Sequence, residues 1–205
     1  MTTEEYVTSM MSPVPDALHQ LERETWQKLI NPRMCSGAYQ GRLLSDISKM
    51  IGPRLILELG TYTGYSAICL LEGLSHDGRM MSLELNEELK WMHEKYLVDS
   101  RLEVKYGHAL ELMSQLDVSK VDLVFVDADK VNYMNYLKYL ETNLPSGAWV
   151  LVDNVLWSGK VLSEPLPGDT DTQVLQELNQ YLAASSAWQT IILPIRDGLT
   201  IARRN

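Results

Sequence analysis

The stretch ILELGTYTGYS, from Ile56 to Ser66, has the pattern of a buried strand, a glycine-containing turn and the start of a helix. Short β-branched apolar runs alternate with helical stretches along the rest of the chain, which is typical of a doubly wound parallel sheet with helices on both faces. We therefore predict an α/β, Rossmann-like fold with seven strands: Leu55–Leu59, Met80–Leu85, Leu102–Tyr106, Leu123–Asp127, Trp149–Asp153, Thr190–Ile195 and Thr200–Arg203.

The remaining segments are assigned to helices and loops of one domain. The last two strands flank Arg196-Asp197-Gly198, which indicates an antiparallel hairpin at the end of a mostly parallel sheet. Ser158–Asp171, rich in Pro, Gly and acidic residues, is predicted to be a mobile loop. A helical cap is expected over residues 1–53 and a ligand-binding core over residues 54–205. The predicted helices are Pro15–Ile30, Tyr39–Ile51, Tyr65–Leu74, Glu87–Val98, Ala109–Leu116, Asn132–Thr142 and Thr172–Ala183.

The composition limits the classes of function. With 205 residues the chain is long enough for one well-buried domain. No apolar run is long enough to span a bilayer, and the first residues lack the basic-then-apolar pattern of a signal peptide. The two cysteines, Cys35 and Cys69, suggest no disulfide framework, so we expect a cytoplasmic protein. A net charge of -9 argues against binding to nucleic-acid phosphates.

The turn after the first strand indicates a ligand without phosphates. In open parallel sheets, ligands bind beyond the carboxyl ends of the strands. The dinucleotide fingerprint GxGxxG is absent, because Gly60 and Gly64 stand four positions apart and position 62 is a tyrosine. Such a spacing, with Glu58 before it, suits a ligand that needs close backbone approach rather than a diphosphate cradle. The alternative is that both glycines serve packing only.

A second acidic residue supports a ligand that contains a ribose. Glu84 ends the next predicted strand in SLELN, where a carboxylate can accept both hydroxyls of a ribose. S-adenosylmethionine (SAM) has a ribose, an adenine and a methionine tail but no phosphate, so we predict that it is the cofactor. The alternative is that Glu84 caps the helix beginning at Glu87.

Oxygen ligands follow two neighbouring strands. Asp127 ends the strand in DLVFVDADKVNYMNY (Asp122–Tyr136), and Asp153-Asn154 ends the next one in LVDNVLW. Adjacent strands lie about 4.8 Å apart, so these side chains should meet at one sheet edge. Carboxylate and amide oxygens suit Mg²⁺ or a similar divalent ion such as Mn²⁺ or Ca²⁺. Taken singly, each aspartate could instead cap a helix.

Lys130 follows Asp127 by three residues and should face the same cleft. A partly desolvated amine beside a divalent cation can act as a general base near neutral pH. The alternative is that Lys130 only neutralises Asp127 or Asp129. Asp129 should point away from Asp127, towards the cofactor.

As a set, these motifs resemble the cation-dependent class I O-methyltransferases, the family of catechol O-methyltransferase and the caffeoyl-CoA O-methyltransferases. The resemblance runs from Asn31 to Arg204 in the order and spacing of the family. It includes, besides the stretches quoted above, PRMCSG (Pro32–Gly37), GHALE (Gly107–Glu111) and DGLTIARR (Asp197–Arg204).

The resemblance implies the methylation of a hydroxyl on a small, catechol-like aromatic substrate. It implies cation ligands at Asp127, Asp153 and Asn154, with Lys130 and Asp127 at the catalytic centre. It implies substrate contacts at Met34, Trp157 and Ser158. The implied SAM contacts are Ser36, Glu58, Gly60, Thr61, Ser66, Glu84, Ala109, Asp127, Asp129 and Tyr136.

A homodimer is also expected, because relatives often dimerise and the first helices carry apolar faces at Leu18, Leu21, Trp26 and Leu29.

Three positions depart from the family pattern. Thr200 stands where catechol O-methyltransferase has a glutamate that holds the second hydroxyl. His108 replaces an aspartate of many bacterial relatives, and we leave it outside the predicted site. The first helices show no clear counterpart of the coenzyme-A-binding lysine of the plant enzymes.

Three rival functions are weighed against this interpretation. A methyltransferase of a hydroxylated tRNA base is disfavoured by the acidic net charge. A nicotinamide-dependent reductase is disfavoured by the missing GxGxxG. A non-catalytic SAM-binding module would have no need for the predicted metal ligands or for Lys130.

Overall fold

The computed structural model describes residues 3–205 and contains one seven-stranded sheet. The strands are β1 (Leu55–Leu59), β2 (Arg79–Glu84), β3 (Leu102–Tyr106), β4 (Leu123–Val126), β5 (Trp149–Asp153), β6 (Trp188–Leu193) and β7 (Leu199–Arg204). Their order is β3-β2-β1-β4-β5-β7-β6. The first five strands are parallel, and β7 is antiparallel to both of its neighbours. The predicted fold class is confirmed.

Helices cover both faces of this sheet. They are α1 (Thr3–Ser9), α2 (Asp16–Lys28), α3 (Gly37–Ile51), α4 (Tyr65–Leu71), α5 (Lys90–Tyr96), α6 (Ala109–Ser114), α7 (Tyr133–Asn143) and α8 (Thr170–Ala184). Short 3₁₀ turns lie at Pro32–Met34, Glu87–Leu89, Val118–Lys120, Lys130–Asn132 and Trp157–Leu162. The sequence interpretation missed α1, which is only seven residues long.

Two apolar clusters lie on opposite faces of the sheet. Neighbouring residues of β1 divide between them: Ile56 joins the cluster beneath α2, α3 and α4, and Leu57 joins the cluster beneath α7 and α8. The same alternation separates Val124 from Phe125 in β4. Because successive side chains of a strand point to opposite faces, strands covered on both sides are apolar at most positions on either face.

Several predicted boundaries were wrong by one to three residues. Strand β6 begins at Trp188, two residues before the predicted start, because it pairs from there with the end of β7 at Arg204. Helix α4 ends at Leu71 instead of Leu74. A β-carbon added at Gly73 would lie 2.1 Å from the carbonyl carbon of Ser48, so this glycine lets α3 approach the end of α4.

The first helices pack on the sheet rather than standing apart from it. Leu18 and Leu21 of α2 are buried in the same apolar cluster as Ile56 of β1. The division into a cap at residues 1–53 and a core at 54–205 therefore stays a prediction, and residues 1 and 2 lie outside the described part of the chain. Among residues 3–205, no helix has the length and apolarity needed to cross a membrane.

The segment predicted as a mobile loop is tied to α8. Lys160 forms an ion pair with Asp169 at 3.1 Å. Gln176 of α8 donates from Nε2 to the carbonyl oxygens of Val161 and Ser163, at 3.0 and 2.8 Å. The mobility of the segment stays a prediction; the ion pair joins its two ends to each other, and Gln176 joins its first part to α8.

Candidate active site

The site lies where the strand order reverses, between β1 and β4, which is the position expected for ligands in an open α/β sheet. Gly60 leaves β1 with φ +93°, and a β-carbon there would lie 2.1 Å from the carbonyl oxygen of Asp127. The turn therefore approaches the end of β4 more closely than any other residue would allow. Packing alone is enough to require glycine at this position, and Gly60 also lines the cleft beside the turn.

A cleft of about 450 Å³ opens beyond this turn, a size typical of small-molecule sites. Seven of the predicted site residues line it: Met34, Gly60, Glu84, Ala109, Asp127, Asp129 and Lys130. Three more, Ser36, Thr61 and Ser66, line a small recess behind the turn that Gly60 and Asp127 also border. His108, which the sequence interpretation left out, lines the main cleft next to Ala109.

The carboxylate of Glu84 is oriented by two backbone donors. Tyr62 N–H donates to Oε2 at 2.6 Å, and Asn86 N–H donates to Oε1 at 2.8 Å. The turn at Glu87 is capped by the side chain of Asn86, which accepts from Glu88 N–H, so the capping alternative for Glu84 was wrong. Glu84 lines the cleft at the end of β2, where its carboxylate is available to a ligand.

Glu58 lies behind the turn and does not line the main cleft. It is fully buried, and its carboxylate accepts from the hydroxyls of Ser66, at 2.6 Å, and Ser82. Ser82 also exchanges a hydrogen bond with Thr61 at 2.6 Å. Desolvation raises the pKa of Glu58 to about 8 despite these donors, so the group holds a proton at neutral pH. The hydrogen bonds of Glu58 stabilise the turn after β1 from its buried side.

At the far end of the cleft, Asp129 is held from two sides. The hydroxyl of Tyr136 and the side-chain amide of Asn132 both donate to its carboxylate. The Tyr136 side chain is buried, so its hydroxyl acts through Asp129. Ala109 begins α6 beside this carboxylate in the lining of the cleft.

Two carboxylates face each other at the ends of β4 and β5. Desolvation and the neighbouring charge of Asp153 together raise the pKa of Asp127 to about 7, against the opposing effect of the charges of Lys130 and Arg196. Burial likewise raises the pKa of Asp153. The ionised form of each carboxylate is therefore less favoured than in water, and positive charge between the two would stabilise it.

Both oxygens of Asp153 have fixed donors. Gln40 Nε2 donates to Oδ2 at 2.6 Å, and the backbone N–H of Asn154 donates to Oδ1 at 2.8 Å. Asn154 itself has a left-handed backbone, with φ 63°. Thr200, the first departure from the family pattern, is buried on β7 beside the end of β5. Its hydroxyl has no hydrogen-bond partner within residues 3–205.

The donor set fits a hard divalent cation. Within the described residues, no group of three or more His, Cys, Asp and Glu side chains is arranged to hold a metal ion. Asp127 and Asp153 supply two carboxylates, and the third predicted ligand, Asn154, supplies an amide oxygen. All three donors are oxygens, which hard cations prefer, and two facing carboxylates gain from a cation between them.

Lys130 stands at the same edge. Its Nζ lies 3.3 Å from Oδ1 of Asp127 and 3.3 Å from the carbonyl oxygen of Ala128. It also lies over the rings of Tyr133 and Trp157, at 5.5 and 5.6 Å from their centres. These contacts all suit an ammonium ion, so the geometry agrees with the alternative in which Lys130 only neutralises Asp127. A base role for Lys130 stays a prediction.

The predicted substrate residues lie in two turns: Met34 ends the 3₁₀ turn before α3, and Trp157 and Ser158 begin the 3₁₀ turn after β5. Met34 is exposed and lines the cleft. Trp157 and Ser158 both adopt left-handed backbone conformations, at φ 47° and 53°. Asp197 stabilises this bend, because its Oδ1 accepts from both the N–H and the hydroxyl of Ser158, at 3.0 and 2.8 Å.

Arg196 is a site residue that sequence reasoning missed. From the β6–β7 hairpin, its guanidinium donates to the carbonyl oxygens of Arg33, Cys35 and Ser36. Its backbone is left-handed, at φ 45°, which is uncommon outside glycine. A second cleft of about 600 Å³ lies beside it, lined also by Trp26. The only signal in the sequence was its position in the predicted hairpin.

Comparison with known proteins decides the family. A family profile described as O-methyltransferase matches residues 8–205. Caffeoyl-CoA O-methyltransferase 5 of Nicotiana tabacum is 32% identical over 211 residues, covering 96% of this chain and 88% of the relative. The corresponding enzyme 1 of Arabidopsis thaliana is 31% identical, covering 96% and 81%. This chain belongs to the O-methyltransferase family.

Solved structures agree with this assignment. The O-methyltransferase TomG from Streptomyces achromogenes, in complex with SAM, superposes with a TM-score of 0.89 at 28% identity, and each chain is covered completely. The O-methyltransferase from Bacillus cereus, in complex with SAH, gives a TM-score of 0.88 at 27% identity, covering 98% and 96%. The expectation of a SAM-dependent O-methyltransferase is confirmed for family and enzyme class.

Proposed function

We propose that this O-methyltransferase transfers the methyl group of SAM to one hydroxyl of a small aromatic compound with two adjacent hydroxyls, with the help of a divalent cation. The position of Asp127 carries the proposal. Asp127 lines the cleft of about 450 Å³ and also faces Asp153 at the ends of the two strands. A methyl donor in the cleft and an acceptor at the carboxylates would therefore meet at one residue.

The cofactor is proposed to occupy the cleft beside Gly60. Glu84, at the end of β2, would accept the ribose hydroxyls. Asp129 and Ala109 would contact the cofactor at the far end of the cleft, with Tyr136 holding Asp129 in place. The remaining proposed contacts, from the recess and from behind the turn, are Ser36, Thr61, Ser66 and Glu58.

Asp127, Asp153 and Asn154 are the residues proposed to hold the cation. Mg²⁺, Mn²⁺ or Ca²⁺ would suit three oxygen donors. When bound, the cation supplies positive charge that favours the ionised form of the acceptor hydroxyl. Gln40 contributes by fixing the orientation of the Asp153 carboxylate at 2.6 Å.

Lys130, in its neutral amine form, is proposed to take the proton from the acceptor hydroxyl. The resulting oxygen anion attacks the sulfonium methyl group, so that the new O–C bond forms as the S–C bond breaks. The products are a methyl ether and S-adenosylhomocysteine, and the proton remains on Lys130. Alignment of the reacting groups supplies much of the acceleration in such a transfer. Opposite charges cancel in this step, so a pocket walled by Met34 and Trp157 favours it.

The curated relatives support the substrate class. Their names specify caffeoyl-CoA, and the caffeoyl group carries two adjacent ring hydroxyls. A coenzyme A thioester is not included in the proposal, because the first helices of this chain show no clear counterpart of the coenzyme-A-binding lysine. The net charge of -9 speaks against a tRNA acceptor.

An acceptor panel tests the proposal. The purified protein is incubated with SAM and with catechol, caffeate, caffeoyl-CoA or hydroxylated tRNA, with Mg²⁺ or with EDTA. We expect S-adenosylhomocysteine release with at least one dihydroxy aromatic compound, and its loss in EDTA. Turnover of the tRNA alone would replace the proposed substrate class, and full turnover in EDTA would remove the cation from the proposal.

A homodimer in a cytoplasmic setting completes the proposal. Leu18 and Leu21 are covered within the subunit, so the apolar face expected from them is not free. Trp26 and Ile30 remain exposed on the same part of the chain. Both cysteines are free and buried, as expected in a reducing compartment. A single monomer mass by light scattering at micromolar concentration would exclude the dimer.

A further inference from the structure

We propose that His93 is a positioning residue for the cofactor, acting through the backbone of Tyr62 on the carboxylate of Glu84. This inference rests on the proposed cofactor cleft. His93 belongs to α5, does not line the cleft and was not part of the predicted site. It is nevertheless joined to the cleft wall by a continuous series of hydrogen bonds.

The imidazole of His93 is buried and has a partner at each nitrogen. Nε2 lies 2.6 Å from the carbonyl oxygen of Tyr62, and Nδ1 lies 2.8 Å from the hydroxyl of Tyr106. A carbonyl oxygen can only accept, so Nε2 carries the proton and Nδ1 accepts from Tyr106. Burial lowers the pKa of His93, which agrees with this neutral form. The ring also stacks on Tyr106, at 5.8 Å between centres.

His93 holds a strained residue, Tyr62, in the turn that follows β1. Tyr62 has a left-handed backbone, at φ 47°, a conformation that persists in non-glycine residues only when the surroundings impose it. Its N–H donates to Oε2 of Glu84 at 2.6 Å, and its carbonyl oxygen accepts from His93. Both backbone groups of Tyr62 are therefore fixed by hydrogen bonds, and its N–H is the group that orients Glu84.

The second partner of His93, Tyr106, leads back to Glu84 through the sheet. Tyr106, which donates to His93, is the register partner of Glu84 in the pairing of β2 with β3. The hydroxyl of Tyr62 reaches further and donates to the carbonyl oxygen of Asn31 at 3.0 Å, just before the turn that carries Met34. His93 thus braces the wall of the cleft that faces the proposed ribose.

The test uses four variants and the binding of SAM. His93→Phe keeps a flat ring and removes both hydrogen bonds, His93→Gln keeps a donor, and Tyr106→Phe removes only the second partner. Ser48→Ala is the control, because it loses a buried hydrogen bond of 2.7 Å to Leu70 on the α3–α4 side of the sheet. SAM affinity is measured by calorimetry, SAM KM and kcat by turnover, and stability by urea unfolding.

We expect His93→Phe to weaken SAM binding about tenfold and to raise the KM for SAM, with kcat at saturating SAM nearly unchanged. His93→Gln should recover most of the affinity for SAM. Tyr106→Phe should bind SAM more tightly than His93→Phe but less tightly than His93→Gln, and Ser48→Ala should bind SAM normally. If His93→Phe does not fold, His93→Gln and Tyr106→Phe decide the question.

Native SAM affinity in all folded variants, or an equal loss in Ser48→Ala at equal stability, would overturn the inference. Failure of the unaltered protein to bind SAM is a different result, because it would count against the proposed cofactor site itself.

Discussion

Gln40, in the first turn of α3, donates from Nε2 to Oδ2 of Asp153 at the end of β5, with a separation of 2.6 Å. Both side chains are buried, and the two residues stand far apart in the sequence. This hydrogen bond joins the N-terminal helices to the edge of the sheet where the second carboxylate lies. Because the other oxygen of Asp153 accepts from Asn154 N–H, the fold fixes the plane of this carboxylate.

Replacing Gln40 should therefore affect both stability and the proposed cation site. Gln40→Leu preserves much of the volume but leaves a buried carboxylate oxygen without its donor, which typically costs about 1–3 kcal/mol. We expect a lower free energy of unfolding in urea and a higher Mg²⁺ concentration for half-maximal activity. Gln173→Leu, on the exposed face of α8, is the control. Identical behaviour of the two variants would mean that the contact to Asp153 is dispensable.

Asp127 and Lys130 should fail differently when replaced. Asp127→Ala leaves too few protein oxygens for a hard cation, so turnover and Mg²⁺ affinity should both be lost, with partial recovery at high Mg²⁺. Lys130→Met should retain SAM affinity but lose about a hundredfold or more in turnover, the usual contribution of a general base. Part of that loss should return as the pH is raised, since the acceptor hydroxyl then ionises unaided.

Lys160→Met is the matched control for Lys130→Met. Its Nζ lies 5.9 Å from the ring centre of Trp157, against 5.6 Å for Lys130, but its ion pair is with Asp169 rather than Asp127. Equal turnover in the two lysine variants at neutral pH would reduce Lys130 to a counter-ion.

Glu58 should make stability depend on pH. Its folded-state pKa, about 8, lies above its ordinary value of 4.5, so the folded protein keeps a proton that the unfolded chain releases between these values. Stability from this group is therefore greatest below pH 4.5 and decreases as the pH rises towards 8. We expect Glu58→Gln, which stays neutral, to lose this part of the slope in urea unfolding measured at several pH values. An unchanged slope would show that Glu58 is not protonated in the fold.

The sequence was sufficient to predict the fold and much of the cleft. Strands buried on both faces are mostly apolar, so β1 and β4 were recognisable from their runs of apolar residues. The parallel pairing of β4 with β5 then places the carboxyl ends of these two strands together, which is how Asp127 and Asp153 could be paired in advance. The predicted start of the edge strand β6 was wrong by two residues, because the exposed positions of this strand, such as Ile191, follow no burial pattern.

What the sequence did not predict are contacts between distant side chains. Gln40, His93 and Arg196 each reach the site through one or more hydrogen bonds across the fold. A single glutamine, histidine or arginine carries no periodic signal, and its partner depends on packing geometry that local pattern does not determine. These residues therefore became visible only with the structure.

Arg196 offers the sharpest separation between stability and function. Arg196→Gly relieves the left-handed backbone at φ 45°, which costs roughly 1–2 kcal/mol in a residue with a side chain. It also removes hydrogen bonds to the carbonyl oxygens of Arg33, Cys35 and Ser36, each with a net contribution of about 1 kcal/mol. The relief of strain offsets part of the lost hydrogen bonding, so we expect the free energy of unfolding to fall by about 1–2 kcal/mol.

Turnover should fall as well, even though the variant stays folded. Without the guanidinium, the turn that carries Met34 loses its attachment to the hairpin, so kcat/KM for the acceptor should fall about tenfold through poorer alignment. Arg196→Lys keeps the charge but cannot reach three carbonyl oxygens at once, and we expect it to recover little of the loss. Steady-state kinetics with the best acceptor, alongside urea unfolding, provides the measurement. A variant that keeps full kcat/KM would make the contact purely structural, whereas recovery by lysine would assign the effect to charge.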